Sequence, residues 1–367
     1  GIVTIYEPGL EQLIKSNIAQ NRLSFTDDLN RAVKNSEICF ITVGTPQDIN
    51  GAADLQYVYK VAEDIGKALN SYKVIVNKST VPIGTASKIA EIIRKNTNYD
   101  FDIVSNPEFL KQGDTIGICA PSAGIGRKLD RFEVSNAVLE KEGFKVKESA
   151  SVRKDALVSA SASKRGKELD EMICDPEVKL VLAAAGGDFM LEMMPNINFE
   201  HIKENPKWLC GASDPTNLLF TVTTMLDIAT FYGFNGAGFI EKRNRPQSTF
   251  FSYLRGNIIP QHSYKRYNPF IDTINDRTNY QEAKWIAKRP MDFEGRLIGG
   301  CVEVINKLIG TKFDYTSDFI HRYKEDGIIW YLDIFNMSSY DFYMTLLQYK
   351  NAGWFSHCKG VMISRPA

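Results

Sequence analysis

Apolar runs and helical periodicity alternate along the first third of the chain. Short apolar runs lie at 37–43, at 73–77 and at Ile103-Val104, and helical periodicity covers 54–70 and 85–96. Short continuous apolar runs are typical of strands that are buried on both faces. Their alternation with helices predicts a parallel α/β sheet.

The alternation then starts again and continues toward the end of the chain. The predicted elements are a strand at Asp114–Ala120, a helix from about Leu129 to Glu142, an extended piece at Lys145–Lys147, a helix at Lys164–Asp175, strands at Val178–Ala183 and Trp208–Gly211, and a helix from Asp214 to about Tyr232. The stretch 241–295 is polar, aromatic and irregular, which indicates a linker or a substrate-covering segment rather than a core. The predicted elements beyond it are a helix at Leu297–Leu308, a strand at Ile328–Leu332, a helix at Ser338–Asn351 ended by Gly353, and a strand at Gly360–Ile363.

Composition places the chain among globular proteins and excludes several functions. Its 367 residues include 44 Lys+Arg and 44 Asp+Glu, and 44% of them are hydrophobic. At roughly 100–200 residues per domain, this length predicts two or three domains. A net charge of zero argues against a nucleic-acid partner, because neutralising phosphates requires excess Lys and Arg. Without a long apolar run or a signal-peptide pattern, we expect no membrane partner and a cytoplasmic location.

The cysteines and histidines do not form a recognisable metal motif. The six cysteines are Cys39, Cys119, Cys174, Cys210, Cys301 and Cys358, and the four histidines are His201, His262, His321 and His357. No C-x-x-C pair occurs, and most of the cysteines lie in apolar stretches. This pattern favours buried free thiols in a reducing compartment. We therefore expect no metal site.

Two polar segments follow predicted strands of the first third. Val43-Gly44-Thr45-Pro46 ends one strand, and Lys78–Thr85 ends the next. The carboxyl ends of parallel strands are where such sheets bind ligands, although a turn with a helix cap would also explain each segment. No G-x-G-x-x-G motif follows a strand in this region, so the usual phosphate anchor of a dinucleotide fold is missing.

These segments together resemble the UDP-glucose 6-dehydrogenase family over about residues 1–112. The blocks that carry the resemblance are Tyr6–Leu10, Val43–Pro46, Asn77–Thr85 and Ser105–Leu110. The resemblance implies a Rossmann-like fragment. The residues that it implies to line the NAD site are Gly44, Thr45, Pro46, Ser79, Thr80 and Glu108, and Glu108 would lie near the nicotinamide.

The resemblance to the dehydrogenase is incomplete. The opening strand and glycine loop are absent, and so is the Gly-Gly-x-Cys-Phe-Pro-Lys-Asp segment that carries the family's thiol nucleophile. Oxidising an alcohol to an acid through a covalent thiohemiacetal requires that thiol. We therefore interpret this part as a fragment in which NAD binding is allowed but not favoured.

A second candidate for chemistry lies in the middle of the chain. The short strand ending at Gly211 runs through Ala212 into Ser213, and a helix with Pro215 in its first turn follows at once. A serine at such a tight strand–helix turn has the geometry of a nucleophile elbow, and the helix N-terminus offers N–H groups to an oxyanion. An ordinary N-cap is the alternative interpretation.

A glycine pair provides a third candidate. Gly186-Gly187 directly follows the buried strand Val178–Ala183. Glycines there allow the backbone to approach a substrate and donate an N–H group, although a simple glycine turn would show the same pattern.

These blocks, in their order, resemble the LD-carboxypeptidase family of serine peptidases, which includes the microcin-C self-immunity enzymes. The blocks, spread over about 113–367, are Thr115–Ser122, Gly186-Gly187, Asn205–Lys207, Gly211–Asp214, Gly295–Gly300 and Leu308–Thr311. The resemblance implies an α/β serine-peptidase domain followed by a partial, smaller C-terminal domain. The implied roles are Ser213 as the nucleophile, the Asp214 N–H and Gly186-Gly187 as the oxyanion hole, and Asp333 in place of the family's histidine-orienting Glu, with Glu303 as an alternative carboxylate.

The family's catalytic histidine has no counterpart. In the family it lies well beyond the strand matching Lys359-Gly360-Val361, and none of the four histidines falls at a family catalytic position. A serine needs an adjacent base to be nucleophilic at neutral pH. We therefore expect a weakly active or inactive hydrolase that needs no cofactor. Its expected substrate is a murein peptide or a peptidyl-nucleotide, and a homodimer is an open alternative.

The expected organisation has four segments. They are an NAD-binding-like part at 1–112, a domain with the nucleophile at 113–240, a linker or covering segment at 241–295 and a partial C-terminal domain at 296–367. No Pro/Gly/Ser-rich linker marks the switch between families, although fused domains usually carry one. A natural fusion, an engineered chimaera and a sequence assembled from two proteins all stay open, as does a scaffold with neither activity.

Overall fold

A computed structural model divides the chain into two compact units, Gly1–Glu108 and Phe109–Ala367. The described residues are 10–44, 55–78, 85–105, 109–242, 244–257, 259–263, 265–267, 281–284, 286–287 and 291–364.

The first unit contains a three-stranded parallel sheet with strand order β1-β2-β3. Its elements are α1 Leu10–Ala19, α2 Leu29–Lys34, β1 Ile38–Ile41, α3 Gln56–Ala68, β2 Lys73–Asn77, α4 Thr85–Arg94 and β3 Phe101–Ser105. Val58 and Ile65 of α3 form a buried core with Ile75 of β2 and with Ile89 and Ile93 of α4. The predicted parallel α/β arrangement of this region is confirmed.

The second unit is built around a five-stranded parallel sheet with strand order β5-β4-β6-β7-β8. Its strands are β4 Thr115–Cys119, β5 Lys145–Glu148, β6 Val178–Ala183, β7 Trp208–Gly211 and β8 Phe231–Tyr232. The accompanying helices are α5 Leu129–Lys141, α6 Ala162–Cys174, α7 Met190–Met193, α8 Phe199–Glu204, α9 Thr216–Leu226 and α10 Arg245–Leu254, with short 3₁₀ turns at Gly126–Lys128 and Met194–Asn196.

This strand order reverses direction at β4, since β5 lies on one side of it and β6 on the other. Open α/β sheets bind ligands in the crevice at the carboxyl ends of the strands where such a reversal occurs. The loops that follow β4, β6 and β7 are therefore the expected ligand-binding region of this sheet.

A second parallel sheet, with strand order β11-β12-β13, forms the C-terminal part of this unit. Its elements are β11 Arg296–Cys301, α11 Val302–Leu308, α12 Thr316–Arg322, β12 Ile328–Asp333, α13 Ser339–Asn351 and β13 Cys358–Ile363, and a two-residue antiparallel pair, β9 Arg266–Tyr267 and β10 Gln281–Glu282, precedes them. Trp330 and Trp354 stack with ring centroids 5.6 Å apart, and Phe220 of α9 packs against both. This aromatic core joins α9 to the C-terminal sheet.

Two predicted helices are wrong, and each has a physical reason. The predicted helix Leu297–Leu308 begins only at Val302, because residues 296–301 form β11 and include adjacent glycines, which disfavour a helix. The predicted helix Asp214–Tyr232 ends at Leu226, because Asp227 adopts the left-handed conformation with φ of 62°. The strand β8 then pairs with β7.

The segment 241–295 also differs from the expectation of an irregular covering segment. Residues 245–254 form α10, whose Phe250, Phe251 and Leu254 are buried in the core of the five-stranded sheet. Asn244 caps this helix by accepting a hydrogen bond from the Gln247 N–H. The sequence contained this start signal, an Asn followed by a Pro in the first turn.

Candidate active site

Ser213 stands at the turn between β7 and α9 in the left-handed backbone conformation, with φ of 67°. The Thr216 N–H and the Thr216 hydroxyl both donate to the Ser213 carbonyl oxygen, at 2.9 and 2.6 Å. A left-handed conformation costs a non-glycine residue on the order of 1 kcal/mol or more, so it persists only where the surroundings fix it. The strand–turn–helix geometry of a nucleophile elbow is therefore present at this serine.

Gly186 lies directly against the Ser213 side chain. A Cβ atom placed on Gly186 would lie 3.0 Å from Ser213 Cβ and 3.1 Å from Ser213 Oγ. These distances are shorter than ordinary van der Waals contacts, so the position tolerates no side chain unless the serine moves. The loop after β6 and the elbow after β7 thus meet, as their places at neighbouring carboxyl strand ends require.

The neighbouring Gly187 packs against the loop that follows β4. A Cβ on Gly187 would overlap Ser122 Oγ, and the Ala123 N–H donates to the Gly186 carbonyl oxygen at 3.1 Å. Within the described part of the chain, neither the Gly187 N–H nor the Asp214 N–H donates a hydrogen bond to a protein acceptor. Both N–H groups therefore remain available as donors.

The carboxylate of Asp214 has a structural task. It is only 2% exposed and accepts hydrogen bonds from Ser122 Oγ, from the Met190 N–H at 2.8 Å and from Asn217 Nδ2 at 2.9 Å. These bonds tie the loops after β4 and β6 to the first turn of α9. Only the backbone of Asp214 can therefore serve the predicted oxyanion role. The contribution of Ser122 was not predicted from the sequence.

Asp333 is connected to the elbow through Tyr232. The Tyr232 hydroxyl donates to Asp333 Oδ2 at 2.6 Å and accepts a hydrogen bond from the Ser213 N–H at 3.3 Å. Burial and the nearby Asp333 carboxylate raise the pKa of Tyr232, which keeps its hydroxyl protonated. Tyr232 was missed in the sequence because it fell within the predicted helix Asp214–Tyr232.

The C-terminal sheet reaches the elbow through β11. The Cys301 N–H donates to Thr216 Oγ1 at 3.2 Å, and a Cβ on Gly300 would lie 2.5 Å from Thr216 Cγ2. Since Cys301 and Asp333 are paired across β11 and β12, this close approach also positions Asp333. Burial and Glu303 raise the pKa of the Cys301 thiol to about 12, so this cysteine is not a reactive thiolate.

Glu303, the alternative carboxylate, holds the loop that follows Asp333. Its Oε1 accepts hydrogen bonds from the Phe335 N–H at 3.0 Å and the Asn336 N–H at 2.8 Å. These contacts give Glu303 a role in ordering the strand end that carries Asp333.

None of the described histidines is hydrogen-bonded to Ser213 or Asp333. His201 Nδ1 pairs with Asp170 Oδ1 at 2.7 Å, whereas His262 and His321 are exposed. His357 precedes β13 and so lies at the amino ends of the parallel strands, while Asp333 ends β12 at the opposite edge. The geometry thus brings together a serine, two backbone N–H groups without a protein acceptor and a carboxylate, but within the described residues no histidine beside them.

Replacing Tyr232 by Phe should destabilise the second unit by ~1–2 kcal/mol, because Asp333 loses a half-buried donor. Urea unfolding measures the effect. Tyr253→Phe is the matched control, since the Tyr253 hydroxyl donates to the Ile259 carbonyl oxygen at an exposed position. We expect this control to stay within about 0.5 kcal/mol of the parent. Equal losses in both variants would show that the Tyr232 hydroxyl does not support Asp333.

Five of the six residues predicted to bind a cofactor lie outside the described residues: Thr45, Pro46, Ser79, Thr80 and Glu108. Gly44 is exposed after β1, and no atom lies within 4 Å of a Cβ placed on it.

Helix α1 has no buried residue, and no G-x-G-x-x-G motif for a pyrophosphate occurs in the first third of the sequence.

Parts of the chain match domain models of two enzyme families. Residues 1–126 match the NAD binding domain of the UDP-glucose/GDP-mannose dehydrogenase family. Residues 116–233 match the LD-carboxypeptidase N-terminal domain, and residues 294–367 match the LD-carboxypeptidase C-terminal domain. The matches to both LD-carboxypeptidase domain models follow a match to a nucleotide-sugar dehydrogenase domain model, in agreement with both sequence resemblances.

Curated dehydrogenases match the beginning of the chain. UDP-glucose 6-dehydrogenase TuaD of Bacillus subtilis is 51% identical over 118 residues, which are 32% of this chain and 26% of that protein. UDP-glucose 6-dehydrogenase of Rhizobium meliloti is 50% identical over 118 residues, 32% of this chain and 27% of that protein. The chain therefore spans about a quarter of the length of these relatives.

The solved structures match the other part. The self-immunity protein MccF in complex with glutamyl sulfamoyl guanosine has a TM-score of 0.57 at 20% identity, covering 70% of this chain and 79% of that one. An MccF-like protein from Bacillus anthracis has a TM-score of 0.59 at 23% identity over 71% and 80% of the two chains. Muramoyltetrapeptide carboxypeptidase from Oxalobacter formigenes has a TM-score of 0.52 at 18% identity, covering 69% of this chain and 77% of that one. These likenesses show an MccF-like peptidase fold.

Among the described helices, none has the length and apolarity needed to cross a membrane.

Proposed function

We propose that residues 109–367 form a serine hydrolase of the LD-carboxypeptidase type, which cleaves an amide next to a D-configured or modified residue. The observation that carries this proposal is Ser213, held with φ of 67° at the β7–α9 turn, where Gly186 packs against its side chain. A serine in this position presents its hydroxyl at the carboxyl edge of the sheet, where a substrate can approach.

In the proposed reaction, Ser213 Oγ attacks the carbonyl carbon of the amide and gives up its proton to a base. The oxyanion that forms accepts hydrogen bonds from the Asp214 and Gly187 N–H groups. The C–N bond then breaks, the leaving amine takes a proton, and water hydrolyses the acyl-ester on Ser213. The Asp333 carboxylate, held by Tyr232, would orient the base and stabilise its charged form.

The missing part of this reaction is the base. No histidine of this sequence is joined to Asp333 in the described residues. Loss of a triad member leaves only the ~10³–10⁴-fold rate enhancement that the oxyanion hole and binding provide. We propose that these 367 residues by themselves are a weak or inactive hydrolase, and that a histidine-bearing segment of the family would complete the site.

Two substrate classes follow from the structural neighbours. MccF structures hold glutamyl sulfamoyl guanosine and aspartyl sulfamoyl adenosine, and a further neighbour is a muramoyltetrapeptide carboxypeptidase. We propose a small peptidyl-nucleotide or murein peptide as the substrate. We also propose a cytoplasmic location, because all six cysteines are free thiols.

Hydrolysis of both substrate classes tests the proposal. The chain is assayed as it is and after extension with the histidine-bearing segment of an LD-carboxypeptidase. We expect extension to raise kcat/KM by ~10²–10⁴-fold, since a general base contributes about that much. In the extended chain, Ser213→Ala should abolish the gain.

The matched control is Ser248→Ala, because the exposed Ser248 hydroxyl donates only to the Asn244 carbonyl oxygen. This variant should keep the full gain. An extended chain that is folded but hydrolyses neither class, or one whose activity survives Ser213→Ala, would refute the proposal.

A second candidate function is NAD binding by the first unit. The 51% identity to a UDP-glucose 6-dehydrogenase over 118 residues favours it, although no G-x-G-x-x-G motif occurs in the first third of this sequence. The binding segments would be 43–46 and 78–85, at the carboxyl ends of β1 and β2. Titration calorimetry decides the point, since no heat of binding at millimolar NAD would discard this candidate.

A further inference from the structure

A cluster of three metal-binding side chains joins α6 to α8. Asp170 and Cys174 lie four residues apart on α6 and so share one face of that helix. His201 of α8 faces them, with its Nδ1 atom 2.7 Å from Asp170 Oδ1 and 3.4 Å from Cys174 Sγ. All three ligand atoms lie within 4.8 Å of one another. This arrangement is separate from the candidate active site, to which these residues contribute nothing.

The donor set suits a divalent transition metal. A thiolate, an imidazole and a carboxylate are the ligands that Zn²⁺ takes in proteins, whereas Mg²⁺ and Ca²⁺ prefer oxygen alone. With ordinary Zn–S, Zn–N and Zn–O lengths, tetrahedral geometry separates S from N by about 3.6 Å and N from O by about 3.4 Å. The observed 3.4 Å between Cys174 Sγ and His201 Nδ1 is already close to this value.

The carboxylate has room to make the remaining adjustment. Asp170 Oδ1 must withdraw from His201 Nδ1 by about 0.7 Å to reach the tetrahedral spacing. The Asp170 and His201 side chains are 34% and 38% exposed, so neither is locked by packing. The exposed edge also leaves a fourth coordination position open to water.

Charged groups of both signs lie near the cluster. The carboxylates of Asp170 and Glu204 and the ammonium group of Lys207 all act electrostatically on Cys174, and the effect of Lys207 is larger than that of Glu204. The Lys207 Nζ is held away by hydrogen bonds that it donates to the carbonyl oxygens of Asp175 and Val178, at 2.7 Å each.

We propose that Asp170, Cys174 and His201 bind a divalent transition metal, with Zn²⁺ as the best fit and water in the fourth position. On binding, the Cys174 thiol gives its proton to solvent and the thiolate sulfur forms the bond to the metal. The ion would fasten the end of α6 to α8. The spacing across two helices explains why no C-x-x-C-type motif revealed the site in the sequence.

Metal titration of the full chain, stripped of metal beforehand, tests this proposal. Calorimetry with Zn²⁺ should give one ion per chain, and Co²⁺ should give the near-ultraviolet charge-transfer absorption of a thiolate ligand. His201→Ala should weaken Zn²⁺ binding by about 100-fold or more, since even loss of an outer-shell partner costs ~10–100-fold. Cys174→Ser should remove the charge-transfer band.

The matched control is the double variant Cys358→Ser/His321→Ala, which removes one cysteine and one histidine outside the cluster. It should bind Zn²⁺ as the parent does. Circular dichroism establishes that each variant is folded, and Asp170→Asn provides a second variant at the cluster. Absence of binding, or binding that survives both His201→Ala and Cys174→Ser, would overturn the site.

Discussion

Replacing Gly299 by alanine should cost the second unit ~3 kcal/mol or more of its free energy of unfolding, because the new methyl group has no room. Gly299 lies in β11 with φ of 155°, a conformation that side chains rarely adopt. A Cβ there would overlap the Tyr331 carbonyl oxygen and lie 2.9 Å from Tyr331 Cγ. Relief requires β11 to move away from β12, and the two strands are hydrogen-bonded along their whole length.

Gly310→Ala is the matched control for this first prediction. Gly310 also has a positive φ, 75°, but no atom lies within 4 Å of a Cβ placed on it. The control therefore measures the backbone cost alone, about 1 kcal/mol. Both variants are compared by urea unfolding. If Gly299→Ala cost no more than Gly310→Ala, the close packing of β11 on β12 would be wrong.

The second large effect should come from Gly186→Ala. The added methyl group would lie 3.1 Å from Ser213 Oγ and 3.0 Å from Ser213 Cβ, so the serine must shift. The contact is relieved by a shift of a few tenths of an ångström, and a displacement of about 1 Å at a reacting group can cost ~10²-fold in rate. We expect the rate of fluorophosphonate labelling, measured in the chain extended with the family's histidine segment, to fall by a smaller factor, ~3–10-fold.

Gly233→Ala separates this effect from a general loss of stability. Gly233 follows β8, and no atom lies within 4 Å of a Cβ placed on it. The labelling rate of this control should equal that of the parent. Undiminished labelling of a folded Gly186→Ala variant would contradict the placement of Gly186 against the nucleophile.

The sequence predicted most strands correctly because their residues are continuously apolar. Val178–Ala183 and Trp208–Gly211 have the predicted bounds, and both are largely buried in the middle of a parallel sheet. The helix prediction for residues 297–308 was wrong at its start, because the apolar positions of this stretch by themselves suggest one continuous helix. The strand that forms instead packs Gly300 closely against Thr216. This is a long-range contact, which the local sequence pattern does not contain.

Only those residues of the candidate site that belong to a short local motif could be predicted from the sequence. Ser213 and Gly186 stand at strand ends with a recognisable turn pattern. Ser122 is hydrogen-bonded to Asp214 across 92 residues of sequence, and Tyr232 to Asp333 across 101. Such long-range partners are set by the sheet order and by the approach of the C-terminal sheet. No local spacing encodes them.

The measurement closest to the central claim locates the reactive serine. The folded chain, extended with the family's histidine segment, is treated with a fluorophosphonate, digested and mapped by tandem mass spectrometry. We expect one adduct, on Ser213, that disappears in Ser213→Ala and after denaturation before treatment. Absence of an adduct on Ser213 in a folded sample, or an adduct formed on another residue instead, would contradict the assignment of this chain's second unit as a serine hydrolase.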